Sequence, residues 1–243
     1  MPLPPPSSTT SDTPPHPMAA VRVWDLPTRL FHWSLVLSVV ALIISGQIGG
    51  NAIDLHAKIG IAVGALLLFR VIWGIVGGRW SRFASFIYSP TNTLQYLRGQ
   101  TPAHPHMNVG HNPLGALSVF AALGILALQV GSGLIIDDEI AFVGPLNALA
   151  PAEWVSWASG WHRSGGKVLL LAWMAIHIAA IVFYAAIQHH NLVKPMLTGD
   201  KDLPINTPSS RDDLVTRGWA LVLLAACVVL GIWLWQLGYA TGM

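Results

Sequence analysis

The sequence predicts an all-α membrane protein, a four-helix transmembrane bundle followed by a fifth, C-terminal transmembrane helix. Of its 243 residues, 53% are hydrophobic and only 10% are charged, whereas a soluble domain carries about 25% charged residues. Five apolar segments are long enough to cross a bilayer, which requires about 20 residues in each. These segments are Leu30–Ile48, His56–Val76, Leu114–Ile136, His162–Ile187 and Val215–Leu237.

The charges of the connecting loops predict the orientation. Basic residues lie before the first segment, between the second and third, and after the fourth: Arg22, Arg29, Arg79, Arg82, Arg98, Lys194, Lys201, Arg211 and Arg217. The loop between the third and fourth segments is acidic, with Asp137, Asp138 and Glu139. Because basic loops remain in the cytoplasm, the N-terminus is predicted to be cytoplasmic and the C-terminus to lie outside. In a bacterial inner membrane, the outer side is the periplasm.

Composition also sets the domain boundaries and excludes several classes of protein. Residues 1–20 are predicted to be a disordered, Pro-rich cytoplasmic tail, residues 21–200 a membrane domain, and residues 201–243 a linker with the fifth helix. The net charge of +2 gives no case for nucleic acid. The single cysteine, Cys227, excludes an internal disulfide, a four-cysteine iron–sulfur cluster and covalently attached c-type haem.

Tryptophans mark the expected membrane interfaces. Residues Ala152–Gly160, with three tryptophans in or next to them, are predicted to form a short interfacial helix on the outer face. The tryptophans of the fifth helix, at positions 219, 233 and 235, are interpreted as interface anchors.

Four histidines in the apolar segments sort into two depths. His32 lies near the inner end of the first segment, and His56 near the outer end of the second. His162 is near the outer end of the fourth segment, and His177 follows it by fifteen residues, about 22 Å along a helix. His32 is therefore expected to pair with His177 at the inner side, and His56 with His162 at the outer side.

Two imidazoles from different helices, on opposite sides of a flat cofactor, are typical of bis-histidine haem ligation. Two such pairs across a membrane would form an electron path. Taken singly, each histidine could instead be a hydrogen-bonded core or interface residue. A binuclear metal centre fits less well, because the pairs lie at different depths and the helix interiors supply no carboxylate. A haem sensor or carrier also fits less well, since a carrier needs only one releasable haem.

Two glycines are predicted to make room for these cofactors. Gly60 follows His56 by four residues, and Gly166 follows His162 by four residues. Positions i and i+4 share a helix face, so each glycine would leave space for a porphyrin ring. The alternative is that Gly60 and Gly64 form a close helix–helix contact of small residues.

Several cations are candidates for the carboxylates of the cofactors. Arg70 is expected level with the inner pair, where it would bind a haem propionate or, alternatively, extend to the lipid headgroups. Lys58, Arg163 and Lys167 lie near the outer pair. They would bind outer propionates or an acidic partner, or be solvated or bound to lipid.

The remaining histidines receive weaker interpretations. His104, His106 and His111 are expected in a solvated inner loop rather than in a metal site. His189 and His190 end the fourth segment and are interpreted as interfacial residues, with a proton relay near a quinone as the alternative.

Three motifs, in this order and combined with these histidines, resemble the bacterial cytochrome b561 family, which includes the b-type cytochrome subunits of nickel–iron hydrogenases. They are VWDLPTRLFHW at Val23–Trp33, GHNPLGALSV at Gly110–Val119 and NLVKPMLTG at Asn191–Gly199. The resemblance covers roughly Val21–Asp200. The N-terminal tail and the fifth helix lie outside the pattern.

The resemblance implies a four-helix membrane cytochrome with two b haems, held by His32, His56, His162 and His177. It also implies electron exchange between membrane quinone, ubiquinone or menaquinone, and a periplasmic redox partner. That partner would be a c-type cytochrome or a hydrogenase-like subunit. The alternative is a stand-alone superoxide:quinone oxidoreductase, in which the outer cations would attract superoxide. The quinone is expected either at the inner side, near Arg70, His189 and Tyr96, or at the outer side, near Trp161.

Overall fold

In a computed structural model, the structure describes residues 17–100, 107, 109–140 and 142–240. Most of the predicted tail, as well as His104 and His106, lies outside these residues. The described elements are, in order, β1 Met18–Arg22, α1 Leu26–Ile48, α2 Ala52–Val76, α3 Pro90–Leu97, α4 Pro113–Ile135, α5 Ala152–Gly160, α6 Gly166–Ala186, α7 Val193–Thr198, β2 Asp200–Pro204 and α8 Leu214–Ala240.

Five helical segments are long and apolar enough to cross a membrane, which confirms the predicted fold class. Four of them correspond to α1, α2, α4 and α8. The fifth combines α5, a π-helical turn at Trp161–Gly165 and α6 into one span of 35 residues, Ala152–Ala186. At 1.5 Å per residue this span is about 52 Å long, which exceeds a hydrocarbon core of about 30 Å. Residues Ala152–Gly160 are therefore helical as predicted, but they extend the membrane helix instead of standing apart from it.

Apolar contacts join most of these helices to the next membrane helix in the chain. Helix α1 packs along α2, α2 contacts both α4 and α8, and α4 contacts α6. A buried layer half-way along the bundle joins α1, α2, α4 and α6, and consists of Val39, Val63, Leu67, Leu126 and Leu170. Helix α8 packs on the outside of α2, where Ala220 and Cys227 meet Phe69 and Trp73. The fifth helix thus adds to a four-helix bundle, as expected.

We use "N-terminal end" for the end of the bundle at which α1 begins and "far end" for the opposite one. A small antiparallel sheet covers the N-terminal end, with Met18 opposite Pro204 and Arg22 opposite Asp200. Residues 18–20, which the sequence placed in a disordered tail, thus form part of strand β1. The partner strand begins 178 residues after β1 ends, so no local pattern reveals it. Arg22 strengthens the pairing through ion pairs with Asp200 and Asp212, both at 2.6 Å.

Asp25 is the polar centre of this end. Its side chain is fully buried and caps α1 by accepting a hydrogen bond from the amide of Thr28 at 2.9 Å. The carboxylate also accepts hydrogen bonds from the amide of Gly78 at 3.0 Å, the hydroxyl of Ser81 at 2.9 Å and the indole of Trp73 at 3.2 Å. One side chain thereby joins the start of α1 to the end of α2.

His111 lies in an aromatic enclosure at the same end. Its ring centre is 4.6 Å from that of Trp24 and 4.5 Å from that of Phe86. Its Nδ1 is buried and has no hydrogen-bond partner among the described residues. This corrects the prediction of a solvated loop residue, because distant segments supply both aromatic rings. Burial is the main cause that lowers the pKa of His111 to about 3, and the nearby charges of Arg70 and Lys201 contribute to the same shift.

Replacing Asp25 tests the role of its carboxylate. We expect Asp25→Ala to lower the free energy of unfolding by about 3 kcal/mol, because several buried donors lose their acceptor. The measurement is thermal unfolding in detergent. Asp54→Ala is the control, since that carboxylate is exposed and pairs with Lys58 at the surface, an arrangement worth about 0–1 kcal/mol. Equal losses in the two variants would contradict the central role of Asp25.

His111 also predicts a pH dependence of stability. Its pKa is about 3 in the folded state and about 6.5 in an unfolded chain, so the unfolded state binds the extra proton. Stability should therefore fall as pH decreases below 6.5, by about 2 kcal/mol between pH 7 and pH 5. His111→Gln should remove this part of the decrease, as measured by unfolding at several pH values. The exposed His190→Gln variant serves as the control, and a pH dependence unchanged in His111→Gln would refute the assignment.

Candidate functional site

The far end brings His56 and His162 together. Their ring centres are 6.0 Å apart, and the ring planes cross at 82°. His56 lies in the second turn of α2, and His162 lies in the π-helical turn between α5 and α6. A metal–imidazole bond is about 2 Å long, and a ring centre lies roughly 1 Å beyond its nitrogen. Two imidazoles on opposite sides of one metal are thus about 6 Å apart, which the observed separation matches.

Hydrogen bonds at Nδ1 define how the two rings face each other. Nδ1 of His56 is 3.0 Å from the carbonyl oxygen of Leu42 on α1. Nδ1 of His162 is 2.8 Å from the carbonyl oxygen of Gln129 on α4. A carbonyl can only accept, so each Nδ1 is the donor and each Nε2 keeps its lone pair. This is the arrangement by which proteins orient a metal-binding histidine.

The N-terminal end brings His32 of α1 near His177 of α6, close enough for the two rings to interact electrostatically. His177 stacks on Trp173, one turn earlier in α6, with ring centres 5.2 Å apart and planes at 15°. Nδ1 of His32 is buried, and no group in the described part of the chain hydrogen-bonds to it. Here aromatic packing, rather than a pair of main-chain carbonyls, supports the rings.

The apolar layer of the bundle lies between the two histidine pairs. Leu170, one of its members, is eight residues after His162 and seven before His177. The layer therefore lies about 10–12 Å from each pair. The two pairs therefore lie at two different depths along the bundle. Within the part of the chain that the structure describes, no three His, Cys, Asp or Glu side chains assemble into a metal site.

Arg70 is the buried cation of the N-terminal end. It is only 3% exposed, and its guanidinium lies 4.8 Å above the ring of Phe83. Its Nη1 is buried without a hydrogen-bond partner in the described ranges. A buried cation with an unfilled donor favours an anionic partner, so the site fits a cofactor that carries carboxylates. The burial does not support the alternative in which Arg70 extends to the lipid headgroups.

The two predicted glycines differ in their surroundings. A Cβ built at Gly60 would meet no atom within 4 Å, so this face of α2 is open. A Cβ at Gly166 would collide with the amide oxygen of Gln129 and lie 2.6 Å from the indole nitrogen of Trp161. Gly166 therefore lets α6 pack tightly on α4. Space for a planar ring is present at Gly60, whereas at Gly166 the protein itself fills the position.

The far-end cations Lys58 and Arg163 are held by groups other than the histidines. Lys58 pairs with Asp54 at 2.6 Å and lies 6.0 Å from the ring centre of Trp235 on α8. It follows His56 by two residues, and such positions do not share a helix face. The Arg163 side chain donates to a main-chain carbonyl one turn earlier, at 3.4 Å. The structure therefore does not bring Lys58 to the His56–His162 pair.

Sequence reasoning missed the residues that support this pair. Ser45 and Gly46 of α1, like Ser132 and Gly133 of α4, contact the histidine rings. Each Ser–Gly pair begins three residues before the end of its helix. The dipeptide alone is a poor signal, because it occurs twice more between residues 159 and 165. Its shared position in two membrane helices was the available clue.

The sequence matches the family described as prokaryotic cytochrome b561 over residues 23–199. One relative is the probable Ni/Fe-hydrogenase B-type cytochrome subunit of Bradyrhizobium diazoefficiens, 22% identical over an alignment of 214 residues that covers 74% of this chain and 85% of the relative. The protein of the same description from Azotobacter chroococcum mcd 1 is 26% identical over 218 residues, 74% of this chain and 88% of its own.

A third relative, the probable Ni/Fe-hydrogenase B-type cytochrome subunit of Rhodobacter capsulatus, is 23% identical over 218 residues, 75% of this chain and 81% of its own. The family match covers most of the chain, including all four membrane histidines. It agrees with the observed helical bundle, and it implies haem b and electron transfer across a membrane. This chain belongs to the prokaryotic cytochrome b561 family.

Proposed function

We propose that the protein carries electrons across the bacterial inner membrane through two b haems, one held by His56 and His162 and the other by His32 and His177. The observation that carries this proposal is the far-end pair, whose rings are 6.0 Å apart. In both rings, Nδ1 donates a hydrogen bond to a main-chain carbonyl oxygen. The second pair, at the other membrane face, supplies the second half of the path.

The protein's part in this function is to hold its ligands and exclude water. When bound, haem b supplies a one-electron couple of iron. Each histidine pair would supply two imidazoles to its haem, which would favour electron transfer over binding of oxygen. The apolar layer around Leu126 and Leu170 keeps water and ions out of the middle of the bundle. Arg70 offers its unfilled Nη1 to a propionate at the N-terminal end.

The proposed orientation rests on charge. The N-terminal end gathers most of the basic loop residues of the chain, whereas the loop after α4 is acidic. By the positive-inside rule this end faces the cytoplasm. The far-end histidines then face the periplasm, and the C-terminus of α8 lies on that side. In this orientation the His56–His162 site exchanges electrons with the periplasmic partner.

A periplasmic hydrogenase-like subunit is the partner that we favour, because the relatives are described as Ni/Fe-hydrogenase B-type cytochrome subunits. A c-type cytochrome is the other candidate. Membrane quinone is the proposed second substrate. A polar cluster at the N-terminal end supports a quinone position there: the amide of Asn112 donates to the hydroxyls of Tyr96 at 3.0 Å and Tyr184 at 2.9 Å. Trp161, beside His162, is the far-end alternative.

The superoxide:quinone alternative receives less support from the structure. It requires far-end cations whose charge attracts superoxide. Lys58 is instead paired with Asp54, and Arg163 lies in a surface depression that it shares with Asp137 and Glu139. The acidic groups offset the positive charge near the site. Stopped-flow mixing with superoxide distinguishes the two functions, since only the alternative predicts faster decay than spontaneous dismutation.

Histidine variants test the ligand assignment. We expect His56→Ala and His162→Ala each to lose one of two haems and the same absorbance component. His32→Ala and His177→Ala should each lose the other component, because His32 and His177 together would hold that haem. The pyridine haemochrome assay gives the number of haems per polypeptide. His190→Ala is the matched control and should keep both.

The same variants test electron transfer. In proteoliposomes with an oxidant inside and an impermeant reductant outside, the wild type should reduce the internal oxidant. All four histidine variants should lose this activity, since the path needs both sites. Two full haems in His162→Ala and His177→Ala would show that the ligand assignment is wrong. Two haems without transmembrane reduction in the wild type would refute the function and leave the ligands intact.

Arg70→Gln tests the proposed propionate contact. Loss of a buried positive charge should lower the midpoint potential of the component that depends on His32 and His177. A pairing energy of 1–2 kcal/mol corresponds to roughly 60 mV for a one-electron couple. Redox titration followed by absorbance measures this shift. Arg98→Gln, in an exposed loop position, is the control, and a potential unchanged in Arg70→Gln would refute the contact.

A further inference from the structure

The far-end histidines are supported by the same three-part arrangement on two different helices. On α1 it consists of the carbonyl of Leu42, Ser45 and Gly46. On α4 it consists of the carbonyl of Gln129, Ser132 and Gly133. The spacing i, i+3, i+4 is identical in both. We call each set a carbonyl–serine–glycine cradle.

The glycine of each cradle allows the histidine ring to reach the helix. A Cβ at Gly46 would lie 3.1 Å from Cε1 of His56. A Cβ at Gly133 would lie 2.8 Å from Cε1 of His162, closer than side chains pack. The glycine stands at i+4 from the carbonyl, directly over it on the helix surface. Without a side chain there, the imidazole can approach a carbonyl that already belongs to the helix.

The serine of each cradle adds a second acceptor. The hydroxyl of Ser132 donates to the carbonyl of Gln129 at 3.0 Å, and its oxygen is 3.3 Å from Nδ1 of His162. The hydroxyl of Ser45 donates to a carbonyl of its own helix at 2.7 Å, and its oxygen is 3.2 Å from Nδ1 of His56. Because each hydroxyl proton is used on a carbonyl, the oxygen faces Nδ1–H as an acceptor. Both serines are only 4% exposed.

We propose that Ser45, Gly46, Ser132 and Gly133 are positioning residues that fix the tautomer of both far-end histidines and set the reduction potential of their haem. The inference rests on the proposed ligand assignment. Each Nδ1–H is shared between a carbonyl and a serine oxygen, which holds Nε2 as the metal-binding nitrogen. Hydrogen bonds accepted from Nδ1–H also raise the basicity of the ligand. A more basic ligand stabilises ferric over ferrous iron and lowers the potential of that haem.

Serine variants of the complete haem-loaded protein test the effect on potential. In Ser45→Ala and Ser132→Ala, Nδ1–H loses one acceptor, and the ferrous-to-ferric ratio of the far-end component should rise at a fixed applied potential. We expect a change of roughly threefold for each serine, about 30 mV for a one-electron couple. The haem content and the component that depends on His32 and His177 should not change. Ser132→Thr keeps a hydroxyl, so its ratio should be closer to that of the wild type than the ratio of Ser132→Ala.

Glycine variants test the steric part. Gly133→Ala should push the His162 ring off the carbonyl of Gln129 and change the ferric low-spin electron paramagnetic resonance signal of the far-end haem or release that haem. Gly131→Ala is the matched control on the same helix, because a Cβ there meets no atom within 4 Å. It should keep both haems and both signals.

Three outcomes would overturn the cradle. They are serine variants with unchanged far-end potential, equal shifts of both haem components, or equal effects of Gly133→Ala and Gly131→Ala. These outcomes are distinct from failure of the proposed function. If His56→Ala and His162→Ala lose a haem while the serine variants behave as wild type, the ligand assignment is supported and the proposed role of the cradle is refuted. If the histidine variants keep both haems, the ligand assignment fails, and with it the basis of the cradle.

Discussion

The bonds from His56 and His162 to main-chain carbonyls organise the far end of the bundle. In a bilayer no water is available to satisfy an imidazole N–H, so the protein must supply the acceptor. A helical carbonyl has a second lone pair beyond the one used in its own helix. Using it ties α2 to α1 and the α5–α6 span to α4 without breaking any helix. The two histidines thereby occupy equivalent places in two helical hairpins. In each hairpin, the histidine at the start of the second helix bonds to a carbonyl near the end of the first.

The N-terminal end is built on a different principle. There a sheet of two short strands, the ion pairs of Arg22 and the buried carboxylate of Asp25 join segments distant in the chain. This cap lies around His32, Arg70 and the aromatic enclosure of His111. One end of the protein is therefore a polar, interlocked cap, and the other a pair of helix ends that meet at two imidazoles. Each end surrounds one of the proposed cofactors.

Much of this could be predicted from the sequence, because membrane helices follow local rules. Hydropathy located all five spans, and the loop charges with a rise of 1.5 Å per residue sorted the histidines into pairs. The meeting of His56 and His162 follows from that one-dimensional reasoning. Strand β1 was missed because its partner is at the other end of the chain. His111 was misjudged because the rings of Trp24 and Phe86 come from separate segments.

Other features depended on side-chain geometry that spacing does not report. Arg70 was expected near the inner site, but only the packing shows it buried against Phe83 with an unfilled donor. Lys58 was expected near the outer site, yet it occupies another face of α2. The Ser–Gly pairs are visible in the sequence, but their meaning depends on which ring lies over them.

The π-helical turn at Trp161–Gly165 has a consequence for how this span can vary. A π turn holds one residue more than an α turn, so it absorbs about 100° of rotation between the helix before it and the helix after it. The direction in which His162 points is therefore independent of the rotation of α6. His162 can face His56 while His177 faces His32. A single-residue deletion within the turn would restore α-helical winding and turn α5 with its tryptophans relative to α6. The turn thus sets the rotation of α5 and His162 relative to α6. It contains the histidine that faces α2 and precedes the helix that carries the histidine facing α1.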